Sequence, residues 1–202
     1  MLIVNAQEEL ERLYSGVRQA GYVILLCNTD GVAIEHRGQE ALAGEFKYWG
    51  TWLGGVWSEA IEGTNGIGTC IAERRPITIH QTQHFRTRHI SLSCSGAPIF
   101  GVDGELLAVL DVSCIDPELS ERSHALTGSL TMASARAIEE RLFRDRFRQE
   151  WIVAVASPDA ITLSCCLPST TTNALLVRTS TPALPSRSKT NFCKELKCRP
   201  DQ

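Results

Sequence analysis

No stretch of the 202 residues approaches 18 consecutive apolar side chains, so nothing in the sequence is built to span a membrane. The opening segment, MLIVNAQEELERLY, has no basic region ahead of its apolar residues and meets acidic residues at once. It does not read as a signal peptide, and the cytoplasm is the expected compartment. Positive charge is not in excess: the formal net charge is −3, which argues against a dedicated nucleic-acid binder. The eight cysteines include no CxxC pair, so zinc-ribbon and thioredoxin-type readings are unsupported. No GxSxG elbow, no HExxH pair and no internal repeat occurs.

What is present is divided in two. All 15 glycines fall between Gly16 and Gly128, whereas Lys189, Lys194 and Lys197 account for three of only four lysines. Residues 1–159 carry a net −7 and residues 160–202 a net +4. The cysteines split the same way: Cys27, Cys70, Cys94 and Cys114 stand singly in apolar or glycine-rich settings, and Cys165, Cys166, Cys193 and Cys198 fall in the tail. Free thiols are expected, not a disulfide framework. With 43% apolar residues, one core of ordinary size can be built. The expected organisation is a folded domain over 1–155 and a Ser/Thr-rich, disordered tail over 156–202.

Hydrophobic spacing predicts a helix over 6–20, with Leu10, Leu13, Tyr14 and Val17 on one face. Strands are predicted at Tyr22–Cys27 and Val32–His36, joined by an Asn28–Gly31 turn. A glycine- and tryptophan-rich stretch follows, then a helix over Asn65–Arg75 and a strand at Ile77–His80. Residues 81–92 read as a loop. Cys94–Phe100 and Glu105–Ser113 read as strands, the second of them central. Asp116-Pro117-Glu118 has the chemistry of a helix start, and the helix is expected to run from 118 to about 150. Leu126, Leu130, Ala133 and Ala137 form one stripe along it, continued by Phe143, Phe147 and Trp151. A helix of that length exceeds what the domain needs, so pairing with a second copy is expected. The fold class is α+β, with a central antiparallel sheet of about six strands.

Three kinds of chemistry can be weighed on residue types. A thiol nucleophile at Cys94 would need a base, and His89 lies five residues before it; the simpler reading is a buried cysteine beside a surface histidine. His80, His84, His89 and Cys94 match no standard metal-ligand spacing, so a metal sensor using His84 and His89 is the minor alternative. Gly63-Thr64-Asn65-Gly66-Ile67-Gly68-Thr69 has the glycines of a phosphate loop but no following Gly-Lys-Ser/Thr, so its glycines are expected to serve close packing. The arginines of 136–148 are interleaved with acids and read as a solvated face.

One block of motifs carries more. Trp57-Ser58-Glu59, GTNGIGTCIAERRPITIH over 63–80, His84-Phe85, and CSGAPIFGVDGELLAVLDVS over 94–113 resemble the N-terminal GAF sensor domain of sigma-54-dependent transcriptional regulators of the acetoin and glycerol type. Ala108 stands where that family usually has glycine, and the resemblance covers about residues 5–155. It implies a GAF-like sheet of six strands with helices on both sides, and a non-enzymatic sensor that takes a small-molecule effector or a regulatory protein. No cofactor and no catalytic residue is implied. Trp57, His84, Phe85, Cys94 and Asp111 are the implied ligand-binding residues, and Gly63, Thr64, Asn65, Gly66 and Gly68 the structural loop. A homodimer through the 118–150 helix is expected. The resemblance implies an ATPase and a helix-turn-helix after the sensor, and neither is visible after about residue 158, so the chain reads as a truncated regulator with a tail read in a shifted frame, the competing account being a stand-alone sensor with a native disordered tail. A thiol-based redox sensor or a GAF-fold sulfoxide reductase using Cys94 is the alternative.

Overall fold

The computed structural model describes residues 1–116, 118–156, 162–167 and 176–178. Two compact units emerge, Met1–Phe143 and Arg144–Gln202. The first begins with helix α1 (Leu2–Val17), followed by β1 (Tyr22–Cys27) and β2 (Ala33–Arg37). Short helices α2 (Ala43–Trp49) and α3 (Glu59–Glu62) lead to α4 (Gly66–Glu73). Strands β3 (Ile77–His80), β4 (Leu92–Phe100) and β5 (Leu106–Ile115) follow, and then the long helix α5 (Glu121–Arg146).

The five strands form one antiparallel sheet in the order β2-β1-β5-β4-β3. Five strands replace the expected six. The chain between β2 and β3 is spent on helices and glycine turns, and its β-pairing among the described residues is an isolated bridge between Val32 and Val56. β1 is apolar at every position because it lies inside the sheet, between β2 and β5, and is covered on both faces. The Asn28 turn forms as expected: Asn28 Oδ1 accepts from Asp30 N at 3.0 Å and Val32 N at 2.9 Å.

Alternation along the strands sorts their side chains into two layers. Tyr22, Ile24, Leu26, Ala97, Ile99, Ala108, Leu110 and Val112 face α1 and α5. Val23, Leu25, Cys27, Leu92, Cys94 and Val109 face the other way, with Phe46, Trp57, Ile67 and Cys70 packed on them. Each fully buried Leu or Ile contributes about 1.5–3 kcal/mol, so the two layers fix the sheet between helices. α1 starts at Leu2, earlier than the predicted residue 6, because Leu2 also packs on the first layer.

α5 departs from expectation at both ends and on its faces. It begins at Glu121, where Ser120 Oγ accepts from Ser123 N at 3.2 Å; Asp116 instead closes a tight turn with Glu118 N and Leu119 N. It ends at Arg146 and not near 150, so Phe147 and Trp151 lie outside it. The predicted stripe faces away from the sheet: Leu126 is 66% exposed and Leu130 45%. The helix packs instead through His124, Thr127, Thr131, Ser134, Ala135, Ile138 and Leu142. His124, Thr127 and Thr131 find hydrogen-bond partners there, whereas the Ser134 hydroxyl is buried without one. His124 Nε2 lies 3.1 Å from Ser95 Oγ, and Thr127 Oγ1 donates to the Tyr22 hydroxyl at 3.1 Å.

In the second unit, β6 (Trp151–Ala156), β7 (Thr162–Leu167) and β8 (Leu176–Arg178) pair antiparallel in that order. The expectation of disorder after 155 otherwise falls on 157–161, 168–175 and 179–202, which lie outside the described residues.

Candidate functional site

The glycine-rich block builds the N-terminus of α4. Asn65 Oδ1 accepts from Ile67 N at 3.0 Å and Gly68 N at 2.8 Å, the bonds of an N-cap. Its Nδ2 donates to Gly63 O and Trp57 O, which ties the cap to the preceding segment. Gly63 sits at φ +68 with the Phe85 ring directly over it. A Cβ on Gly66 would lie 2.7 Å from Cys94 Cβ and 3.0 Å from Asp111 Oδ1. A Cβ on Gly96 would lie 2.2 Å from the Gly66 carbonyl oxygen. The glycines therefore let α4 begin in direct backbone contact with β4, with Asp111 and Cys94 beneath its first turn.

Asp111 is fully buried on the central strand. Ser113 Oγ donates to its Oδ2, but Oδ1 has no hydrogen-bond partner. Burial pushes the carboxyl up to about 7, with the Ser113 bond acting the other way. Cys94 pairs across the ladder with Ser113. His84 Nε2 lies 3.3 Å from Cys94 Sγ, and His84 Nδ1 lies 2.9 Å from the Gln81 carbonyl. A carbonyl only accepts, so Nδ1 carries the proton and Nε2 accepts from the thiol. Burial, reinforced by Asp111, pushes the Cys94 thiol well above its ordinary value, and burial lowers His84. This is the reverse of a nucleophilic thiolate beside an imidazolium.

Residues 81–91 form a lid beside α3 and α4. Phe85 N donates to Thr64 O at 3.1 Å, and Arg86 Nη2 donates to Ile61 O. Arg88 Nη2 pairs with Glu62 Oε1 at 2.5 Å. A single turn of 3-10 helix at Thr87–His89 then carries His89 inward, where it is 1% exposed. The Trp57 ring stands 4.9 Å from the His89 ring, and His84 stands 6.2 Å from it. Trp57 itself is anchored by Nε1 donating to Gly50 O at 2.9 Å.

Of the five side chains expected to bind a ligand, Trp57, His84, Cys94 and Asp111 lie together in this layer. Phe85 does not join them; it caps Gly63 from outside and is 72% exposed. His89 and Glu62 belong to the cluster, although His89 reads from sequence as a surface loop residue. The base beside Cys94 is His84 and not His89. Among the described residues no three His, Cys, Asp or Glu side chains are placed to share a metal ion.

The profile of the GAF domain matches residues 6–138. The chain belongs to the GAF domain family. Two relatives of this GAF domain are the acetoin catabolism regulatory protein of Cupriavidus necator, 34% identical over 148 residues, and the acetoin dehydrogenase operon transcriptional activator AcoR of Bacillus subtilis, 31% identical over 140 residues. These matches cover 73% and 69% of this chain and 22% of each relative, so the chain matches about a fifth of their length. Among solved structures, the E. coli DhaR(N)–DhaL complex aligns with a TM-score of 0.65 at 17% identity, over 73% of this chain and 50% of that one. That likeness supports the fold. The resemblance read from the motifs and the regulators found by comparison agree, and the GAF domain is homologous to regulatory domains of transcriptional activators. Among the described residues no helix is long and apolar enough to cross a membrane.

Proposed function

We propose that residues 1–155 are the sensory domain of a transcriptional regulator, and that it binds a small uncharged metabolite between α4, the β4–β5 pair and the 81–91 lid. One observation carries this reading. Asp111 Oδ1 beneath α4 and, across the His84–Cys94 pair, both His89 ring nitrogens and Glu62 Oε2 are buried without hydrogen-bond partners. An unmet buried polar atom costs about 1–3 kcal/mol, so such a group of atoms suits a polar guest. The Glu62 carboxylate and the buried Asp111 carboxyl disfavour an anion, and Arg86 and Arg88 beside Glu62 disfavour a cation. Trp57, His84, Cys94 and Asp111 would line the site, with Phe85 closing it from outside.

Acetoin, the compound in the names of two relatives, is the first probe. At 100 times its Kd it should stabilise the domain by about 2.7 kcal/mol, a rise of several degrees in Tm. Lactate, of similar size but anionic, should give no rise. A Tm unmoved by acetoin and by the related diol and diketone would refute the small-molecule reading.

The exposed stripe of α5 supports the dimer. Leu126, Leu130, Ala133 and Ala137 follow the 4-3-4 spacing of a helix seam, and both leucines are exposed. A second copy covering this seam would place α5 where a change in the sheet is passed on. Leu130→Glu should convert the dimer to monomer by sedimentation velocity at tens of micromolar, roughly the range of a weak interface. A wild-type monomer at that concentration would exclude the seam.

A further inference from the structure

We infer that His89 is the lid residue that recognises a hydroxyl group of the bound ligand, with Glu62 as its positioning partner. The inference rests on the proposed sensing role and adds a residue and a functional group to it.

His89 differs from the other buried histidines. His84 is bonded to Gln81 and Cys94, and His124 lies against Ser95 and Tyr22. The half-buried His80 is bonded to Ser93. Each of these serves the packing around it. His36 has an unpaired nitrogen, but it sits half-buried on β2 at the sheet edge. His89 is 1% exposed and neither ring nitrogen has a hydrogen-bond partner. Glu62 Oε2 is 3.8 Å from Nε2, too far to serve as one.

The lid is constructed to hold this ring inward. Arg86 precedes the turn and Arg88 lies within it, and both reach Glu62, at 3.7 and 2.5 Å. His89 N donates to Arg86 O at 2.9 Å, which closes the turn. Trp57 lies against the ring, with Trp49 at 6.4 Å and His84 at 6.2 Å. Burial, with Arg88 adding to it, lowers His89 to about 4, so the imidazole is neutral at physiological pH.

A neutral imidazole presents one donor and one acceptor. A hydroxyl can meet either nitrogen, accepting from the N–H or donating to the bare nitrogen. A keto oxygen only accepts. A carboxylate also only accepts, and it would face Glu62. The Glu62 carboxylate on the Nε2 side favours the proton there, which leaves the bare Nδ1 for the ligand; a hydroxyl can donate to it and the ketone of the same skeleton cannot, so the site selects the hydroxyl compound.

The test is calorimetric titration of the full chain with acetoin, butane-2,3-diol and butane-2,3-dione. Wild type should bind the two hydroxyl compounds at least about tenfold more tightly than the dione. His89→Leu should erase that preference by weakening the hydroxyl compounds about tenfold or more, with the dione changed less than about twofold. His89→Gln retains a donor and an acceptor and should keep part of the preference. Without ligand, His89→Leu should melt no lower than wild type, since it removes an unmet polar group; a merely structural histidine would show a fall. Should His89→Leu not fold, the His89 ring nitrogen shifts of wild type on adding butane-2,3-diol give the same answer, and unchanged shifts overturn the inference. Hydroxyl binding undiminished in His89→Leu would mean that water occupies the ring, which overturns the role of His89 and leaves the sensing role standing. Failure of wild type to bind any of the three overturns both.

Discussion

Gly96→Ala is expected to lower the stability of the sensory domain by about 3 kcal/mol or more, a large share of the about 5–15 kcal/mol that holds an ordinary domain folded. The added Cβ would lie 2.2 Å from the Gly66 carbonyl oxygen and 3.0 Å from the carbonyl carbon. Both are backbone atoms of the first turn of α4, so no side chain can swing aside. Relief requires α4 to lift off β4, which exposes Ile67 and Cys70 and removes the cover from Cys94 and Asp111. Gly44→Ala is the control. Gly44 lies in α2 with open space around it, and alanine there should be neutral or stabilising by up to about 1 kcal/mol. Urea denaturation checks both. Equal effects at the two positions would mean that close approach of α4 to the sheet is not what Gly96 provides.

The second large effect depends on pH. Asp111 titrates near 7 when folded, against 3.8 for an exposed aspartate. Between those values the folded chain holds a proton that the unfolded chain has lost. Stability contributed by the neutral carboxyl is therefore present below about pH 4 and falls away as pH rises toward 7. The side-chain amide introduced by Asp111→Asn cannot ionise. The stability of the variant relative to wild type should climb from pH 4 to pH 7 and level off above, by up to about 4 kcal/mol. His84, His89 and His124 are lowered by burial and act in the opposite sense, losing stability as pH falls. They are common to both proteins and cancel in the difference. A difference that stays flat across this window would show that Asp111 is ionised in the folded chain.

Much of this architecture could be read from the residues, and the failures have identifiable causes. The five strands were legible because β1, β4 and β5 are apolar runs bounded by Gly and Asn turns, signals that act over a few residues. The Gly63–Gly68 block was legible as structure because a phosphate loop would have required a lysine that is absent. The faces of α5 were not legible. Spacing alone marks Leu126, Leu130, Ala133 and Ala137 as the apolar side, yet the sheet offers Ser95 and the Tyr22 hydroxyl to the helix, so His124 and Thr127 turn inward. The helix start was misplaced for a related reason. Asp116 has capping chemistry, but its side chain is engaged by the turn at Glu118, and Ser120 caps instead. Phe85 and His89 exchanged expected places. Phenylalanine is the more apolar, but it is needed over the bare face of Gly63, while the turn at Thr87–His89 and the pull of Glu62 on Arg86 and Arg88 carry the imidazole inside. No local pattern encodes a contact between α3 and a loop more than twenty residues later.

Backbone amide spectra of the ¹⁵N-labelled chain, recorded with and without acetoin, test the central claim most directly. Binding between α4, the β4–β5 pair and the lid predicts shifts centred on residues 63–69, 84–91, 94–96 and 111–113, carried into the first turns of α5. Unchanged spectra, or shifts confined to exposed residues remote from those segments, would contradict it.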